Sequence, residues 1–273
     1  MKSRKLLTLM SLVMLGLVSF NCYAVINAGF QNQTTRDISL RGSFKGLSIS
    51  SNFKASYELN PSTPTATLFG PDDLVEKVIY NIDSEGNLSF SFPKDFKIDG
   101  ERNWTISIIV NGPALESYSA SANGKITVLT PVDCKQLKVK TSSNGEIKFN
   151  QKISVTGNTK IDGSSNGEVD FERGLNCNGK TDIDLSSNAS LEIETFTASD
   201  VEVKLSSAAG LEIENFKGGN ISVDCNSSAK AEISGVAEKG SFTATSSSKI
   251  DISKLSLKTD AEITTNSEGQ IVR

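Results

Sequence analysis

The sequence contains no histidine and few aromatic rings. Of its 273 residues, 7% are aromatic and one is Trp. The absence of histidine excludes the Ser-His-Asp and Cys-His mechanisms and the usual zinc sites. With so few rings, the core must be built from many small aliphatic side chains. The length fits one large domain or two small ones.

Basic stripes and nucleotide-binding motifs are also missing. The formal net charge is −4, whereas a nucleic-acid-binding protein would carry a basic surface. There is no phosphate loop, dinucleotide motif or metal-ligand spacing. We therefore expect no nucleic-acid partner, no catalytic residue and no required cofactor.

The only long apolar run lies at the N-terminus. Basic residues precede an apolar run over residues 6–20, and small residues at Cys22 and Ala24 fit cleavage after Ala24. The run is short for a membrane span and predicts a signal peptide over residues 1–24. The alternative is a lipid anchor at Cys22, although Asn21 fits a lipobox poorly. The chain is expected to be exported to the periplasm, the outer-membrane surface or the medium, with no membrane span after cleavage.

A repeat of 19–22 residues runs through the second half of the chain. The copies read SANGKITV (121–128), SSNGEIKF (142–149), SSNGEVDF (164–171), SSNASLEI (186–193) and SSAAGLEI (206–213), followed by weaker copies. Apolar residues alternate with polar ones after each turn, which is typical of strands with one buried face. A short strand repeat of this kind predicts an all-β, right-handed parallel β-helix.

Four apolar columns should fill the interior of this coil. The first begins Ile126, Ile147, Val169, and the second begins Val128, Phe149, Phe171. The third and fourth columns are Val132, Ile153, Leu175, Phe196, Phe216, Val236, Leu255 and Val139, Ile161, Ile183, Val203, Val223, Ala244, Ile263.

The repeated Asn-Gly turn has a physical reason. A sharp bend needs positive φ, which Gly and Asn tolerate best. Stacked Asn side chains can also hydrogen-bond from one turn to the next. We therefore predict a structural turn ladder formed by Asn123, Asn144, Asn166 and Asn188.

Cysteines fit the same coil as buried free thiols. Cys134 and Cys177 are two turns apart, about 9–10 Å, which exceeds the reach of a disulfide. Cys225 lies on a different strand. All three are expected to pack as small apolar side chains.

The domain boundaries follow from these patterns. Residues 25–40 are polar and are expected to be flexible. Residues 41–120 form a less regular N-terminal β section that holds the first turns and could cap the coil. Residues 121–273 form the regular parallel β-helix.

One outward position of the repeat carries carboxylates and is the candidate binding face. The residues are Asp170, Glu192, Glu212, Glu232 and Asp251, with Glu194 and Glu214 two positions further along. Such a run is most simply a solvated face. Alternatives are a Ca²⁺ or cationic-ligand site, or a pair of carboxylates for glycoside hydrolysis.

Several segments resemble the head GIN domain family of auto-transporter adhesins from Bacteroidetes-type bacteria. They are FKGLSISSNFKASYEL (44–59), ISIIVNGPALESYSASANGKITV (106–128) and the SSNGEI and SSNGEV turns. The resemblance covers roughly residues 40–255. It implies an exported β-helical adhesin and carries over no catalytic residues.

Together these observations predict an exported, non-catalytic, adhesin-like protein that binds a glycan or a host or envelope protein. The alternatives are a polysaccharide-processing enzyme that uses the acidic column, and a periplasmic structural or regulatory domain.

Overall fold

A computed structural model of the chain describes residues 32–98 and 103–273. The predicted signal peptide over residues 1–24 and the alternative lipid anchor at Cys22 lie outside the described residues. In the described part, no helix has the length and hydropathy needed to span a bilayer.

Strands make up nearly all of the regular structure. The less regular first section contains β1 (Gln33–Ser39), β2 (Gly46–Ile49), β3 (Phe53–Leu59), β4 (Thr65–Pro71), α1 (Asp72–Val75), β5 (Ile79–Ile82), β6 (Asn87–Ser91), β7 (Ile106–Gly112) and β8 (Ser117–Ala120). The regular section begins with β9 (Lys125–Val128), β10 (Val132–Cys134), β11 (Leu137–Thr141), β12 (Glu146–Phe149), β13 (Ile153–Val155), β14 (Thr159–Gly163) and β15 (Glu168–Phe171). It continues with β16 (Leu175–Leu185), β17 (Ser190–Leu205), β18 (Gly210–Cys225), β19 (Lys230–Thr245), β20 (Lys249–Asp251), β21 (Leu255–Leu257), β22 (Glu262–Asn266) and β23 (Gln270–Val272).

Parallel pairing between successive turns builds a β-solenoid of about seven turns. The first sheet runs through β9, β12, β15, the first parts of β17, β18 and β19, then β20 and β23. The second sheet contains β10, β13 and β21, and the third contains β11, β14 and β22; the long strands β16 to β19 contribute to both. The predicted all-β parallel solenoid is confirmed, and its right-handed coil stays a prediction of the crossover rule.

Apolar columns fill the interior, as the alternation of the sequence predicts. Ile147 lies between Ile126 and Val169 in register on neighbouring strands, and all three are buried. The rings of Phe149 and Phe171 stack with centroids 4.4 Å apart and planes 7° apart. Offset stacking adds to the burial of two large apolar side chains. A second pair of rings, Phe196 and Phe216, lies on neighbouring turns of the third column with centroids 5.6 Å apart.

The three cysteines of the regular section are buried free thiols, as predicted. Burial raises the pKa of Cys134 and that of Cys225 to about 12. A thiol with so high a pKa forms little thiolate and is chemically inert.

The corner that precedes the first sheet in each regular turn has two successive residues in the left-handed conformation. Ser143 and Asn144 have φ of 50° and 63°, and Ser165 and Asn166 have φ of 51° and 61°. The glycine that follows is required by space, because a Cβ on Gly145 would lie 2.2 Å from a backbone oxygen of the previous turn. The Asn-Gly sequence therefore satisfies both the backbone geometry and the close stacking of turns.

Two predicted column positions in β19 are wrong, although Ala244 is buried as predicted. Phe216 pairs with Gly235 rather than with Val236, and Val236 is 46% exposed. In the fourth column Val223 pairs with Phe242 rather than with Ala244. The register shifts by one residue between Ile213 and Phe216, because the loop around Gly235 is one residue shorter than in the preceding turn. In this shortened loop Gly235 adopts a positive φ of 122°.

The N-terminal section extends the first and third sheets. β3 joins β9 and β7 in parallel, β4 pairs antiparallel with β7, and β1 pairs antiparallel with β4. In the third sheet, β2 joins β8 and β6 in parallel, and β5 is antiparallel to β6. Antiparallel strands thus end both sheets at this side.

Residues 33–39 form strand β1, within the stretch for which the sequence predicts flexibility. None of its residues is fully buried, so its order comes from backbone pairing and from one arginine. The Arg36 guanidinium donates hydrogen bonds to the backbone oxygens of Val75 and Val78 at 3.1 and 2.9 Å. These bonds attach β1 to the C-terminal end of α1 and to the segment that follows it.

Candidate functional site

The first sheet holds the candidate binding face, which we call the acidic face: Asp170, Glu192, Glu194, Glu212, Glu214, Glu232 and Asp251. Asp170 pairs in register with Glu192, Glu192 with Glu212, Glu212 with Glu232, and Glu232 with Asp251. Neighbouring members are therefore about one strand spacing apart, about 4.8 Å. The repeat places the five residues on one row because each lies between two buried columns.

Cations neutralise the two ends of this row. Lys148 lies 3.3 Å from the Asp170 carboxylate and also contacts Glu172. At the other end, Lys254 lies 3.3 Å from Glu232 and Lys249 lies 3.5 Å from Asp251. Asp251 further accepts hydrogen bonds from Ser253, which lower its pKa.

The centre of the acidic face is not neutralised. Within residues 32–98 and 103–273, no ion pair involves Glu192, Glu194, Glu212 or Glu214. Partial burial and the adjacent carboxylates of Asp170 and Glu212 raise the pKa of Glu192. The face therefore contains a block of four negative charges that repel one another.

A shallow depression of about 310 Å³ borders this block. The row of side chains beside the acidic row contains Glu168, Ser190, Gly210, Lys230 and Lys249 in register. Ser190 and Gly210 are small, whereas their neighbours on both sides are long. The depression lies where these two side chains are short, with carboxylates along one wall, and its lining also includes Lys230 and Lys249.

The sequence prediction missed this depression, although its signal is visible. Ser190 and Gly210 stand at the position held by Glu146 and Glu168 in earlier copies of the repeat. A Cβ on Gly210 would meet no atom within 4 Å. The glycine is therefore not required by packing, in contrast to Gly145 at the corner.

The arrangement offers little to a metal ion or to glycoside chemistry. Across the part of the chain that the structure describes, no three His, Cys, Asp or Glu side chains are placed to hold a metal ion. Calcium needs several converging oxygens, whereas these carboxylates stand side by side along a sheet. Glycoside hydrolysis needs two carboxyl groups that flank the scissile bond from opposite sides, whereas the central four stand side by side on one face of one sheet.

The turn ladder lies along the corner that precedes the first sheet. The side-chain amide of Asn144 donates to Asn123 at 3.1 Å, that of Asn166 to Asn144 at 3.1 Å, and that of Asn188 to Asn166 at 3.2 Å. Each interior amide thus both donates and accepts. The four side chains hold adjacent turns together at the edge of the acidic face.

Comparison with known proteins identifies a family and a shared fold. The sequence profile described as "putative auto-transporter adhesin, head GIN domain" matches residues 43–171 and 175–272. No curated protein matches the chain.

Solved structures of similar fold come from Parabacteroides species. A putative adhesin from Parabacteroides merdae has a TM-score of 0.75 and 18% identity, over 88% of this chain and 95% of that one. A putative adhesin from Parabacteroides distasonis has a TM-score of 0.71 and 17% identity, over 88% and 96%. A protein of P. distasonis described as a putative lipid binding protein has a TM-score of 0.69 and 15% identity, over 88% and 96%. At these identities the likeness shows the fold alone.

Proposed function

The chain belongs to the head GIN domain family of putative auto-transporter adhesins, and from this premise we propose that it is an exported, non-catalytic adhesin of the cell envelope. Its partner is a protein or glycan with cationic groups, on the envelope or on a host surface. The observation that carries this proposal is the unneutralised centre of the acidic face.

The unpaired charges support binding because they are not needed for folding. Like charges on adjacent strands destabilise a sheet, and the chain neutralises the ends of the same row with lysines. A cationic partner would supply the missing counter-charges. Flat, extended surfaces of this kind are what solenoids offer to large partners.

The depression at Ser190 and Gly210 gives the face a place for one protruding group. Its volume of about 310 Å³ is ample for a Lys or Arg side chain or an amino group of a glycan. Charge and shape together would then decide which partners bind.

Location is tested first, on intact cells that produce the full chain. Added protease should degrade the protein while a periplasmic marker survives. Protection of both proteins would place the chain inside the envelope and contradict the adhesin role.

Binding is then tested with three purified variants on arrays of glycans, matrix proteins and envelope proteins. The double variant Glu192→Gln/Glu212→Gln should weaken binding, because it removes two central charges. Gly210→Arg should also weaken binding by filling the depression, and the open space at Gly210 leaves the fold intact. Glu202→Gln, on the third sheet, is the control for loss of a charge outside the acidic face, and its folding is checked before binding is compared.

Equal binding by all variants would contradict a role of this face. Release of reducing sugar from polysaccharides, lost in Glu192→Gln, would instead favour the enzymatic alternative. In that case the non-catalytic part of the proposal is wrong.

A further inference from the structure

Five Asn-Gly sequences occur in the chain, and three of them form the solenoid corner. Asn-Gly is the dipeptide at which an asparagine side chain most readily loses ammonia, because glycine presents its backbone nitrogen without a side chain in the way. The five asparagines are Asn111, Asn123, Asn144, Asn166 and Asn178. Their surroundings differ, and the difference decides which of them can react.

The reaction needs only water and a deprotonated backbone nitrogen. The glycine nitrogen bonds to the side-chain Cγ of the asparagine, the Cγ–Nδ2 bond breaks, and ammonia leaves. Water then opens the five-membered imide at either carbonyl. The product is an aspartate or an isoaspartate, with no oxidant or cofactor consumed.

Hydrogen bonds hold both reacting groups at the corner. The N–H of Gly145 donates to the Ser142 oxygen at 2.9 Å. The side-chain amide of Asn144 donates to Asn123 and accepts from Asn166, each at 3.1 Å. Attack requires that the glycine bond open and that the amide rotate out of the ladder at the same time.

The other two corner Asn-Gly sequences are held in the same way, but their asparagine side chains make different numbers of hydrogen bonds. Gly124 and Gly167 donate to backbone oxygens at 2.8 and 3.0 Å. The Asn166 amide also both donates and accepts, whereas the Asn123 amide, at the end of the ladder, only accepts. Asn123 is therefore the least protected of the three.

Asn178 lacks the side-chain part of this protection and keeps only the backbone part. Its side chain is exposed, and within the described part of the chain it makes no hydrogen bond. It lies where the register between β16 and β17 shifts, between Cys177 and Lys180. The N–H of Gly179 donates to Gly157 at 3.0 Å, so one backbone bond at an irregular strand position is what must open. By contrast, the Asn111 side-chain amide donates to Thr65. Packing around the glycine does not distinguish the two sites, because Gly112 is enclosed by Phe44 and Tyr57 and Gly179 by Gly157 and Asn158.

We propose that Asn178 is the site of spontaneous deamidation in the folded chain, and that the turn ladder chemically protects the corner Asn-Gly sequences. Deamidation adds a negative charge to the bulge beside Lys180. An isoaspartate also lengthens the backbone by one carbon, which the paired strand cannot accommodate without local opening. Ageing of the folded protein would therefore begin at this position.

The test is peptide mapping by mass spectrometry after incubation of the folded chain at mildly alkaline pH, with isoaspartate detected separately. Asn178 should react at least about tenfold faster than Asn144 and Asn166, as expected from the two side-chain hydrogen bonds that each of those amides makes. In concentrated urea the sites should react at similar rates. Equal rates in the folded chain would overturn the proposal.

Two ladder variants separate protection by the ladder from general rigidity. Asn144→Ala removes one hydrogen bond from Asn123 and one from Asn166, and both should react about fivefold faster. Asn188→Ala removes a hydrogen bond from Asn166 alone, so the deamidation rate of Asn123 should not change. This second variant replaces Asn144→Ala in the test if Asn144→Ala fails to fold. Asn178 is the internal control in each. Unchanged rates at Asn166 in a folded Asn188→Ala chain would show that the ladder protects nothing.

Discussion

Replacing Glu192 by Gln should stabilise the folded chain, although it removes a charged group from a solvent-facing strand. The substitution preserves the shape of the side chain and deletes one negative charge at the centre of the acidic face. Glu192 lies in register with Asp170 on one side and Glu212 on the other. The charge therefore has two repulsive neighbours and forms no ion pair within the described residues, although Arg173 and Lys230 border the same surface.

The expected gain is small but measurable. Two unit charges about 6 Å apart in water repel by about 0.7 kcal/mol, so two neighbours set an upper limit of about 1.4 kcal/mol. Because the side chain is exposed, salt and solvent reduce this value, and we expect about 0.5 kcal/mol at moderate ionic strength. In a chain of this size such a change raises the melting temperature by about 1–2 °C.

The dependence on pH has a definite sign. Burial and the neighbouring carboxylates raise the pKa of Glu192 in the folded chain. Its charge therefore costs stability above that raised pKa, and the cost disappears once the carboxyl is protonated in both states. The advantage of the Gln variant should be full at neutral pH and vanish at a pH below the unfolded value of about 4.3.

Glu202→Gln on the third sheet provides the opposite case. Hydrogen bonds from Lys180 and Lys204 lower the pKa of Glu202 to about 2. A lowered folded pKa contributes stability above the unfolded pKa, and that stability is lost as the pH falls through the folded value. The same Glu-to-Gln exchange should therefore destabilise the chain at neutral pH.

Calorimetry of the parent chain and both variants, at several pH values and at low and high salt, distinguishes these expectations. Opposite signs at neutral pH and convergence in acid support the assignment of the charges. A lower melting temperature for Glu192→Gln at neutral pH and low salt would refute it, because the residue would then have a favourable partner.

Three further predictions concern the corner, the core and the first strand. Gly145→Ala should lower the free energy of unfolding in urea by more than about 2 kcal/mol, because the new Cβ would lie 2.2 Å from a backbone oxygen. The control Gly210→Ala has open space around the new Cβ and should change this free energy by less than about 1 kcal/mol. Phe171→Ala should cost about 3–5 kcal/mol in the same assay, and a cost below about 1 kcal/mol would contradict the stacked core. Arg36→Ala should speed hydrogen exchange in β1 while exchange in β17 and β18 stays slow, and unchanged exchange in β1 would show that the arginine does not hold the strand.

The sequence predicts the regular solenoid because three signals coincide in each turn: positive-φ residues at the corner, period-two alternation after it, and apolar columns. It fails at β19, where one residue is missing from the turn. The alternation there allows either Gly235 or Val236 to face inward, and only the position of the neighbouring turn decides between them. Strand β1 is missed for another reason. Its order depends on Arg36 reaching backbone oxygens 39 and 42 residues away, which no local pattern records.

The acidic face could be listed from the sequence, but its meaning depends on what surrounds it. On the third sheet, Lys180 lies 2.7 Å from Asp182 and 2.7 Å from Glu202, so outward charges are matched across strands. Both sheets have the same architecture and the same solvent. Outward carboxylates are therefore paired with lysines on the third sheet and at both ends of the acidic row on the first sheet.

Folding alone does not explain the four unpaired carboxylates beside the depression at Gly210. Exchange of any one of them for a neutral residue should relieve repulsion, and the open space at Gly210 would accept a larger side chain. The central carboxylates lower the stability of the fold, and single substitutions should remove that cost. We therefore attribute them to a partner that supplies the missing positive charge. The Glu192→Gln variant should therefore be more stable than the parent chain and bind the partner more weakly.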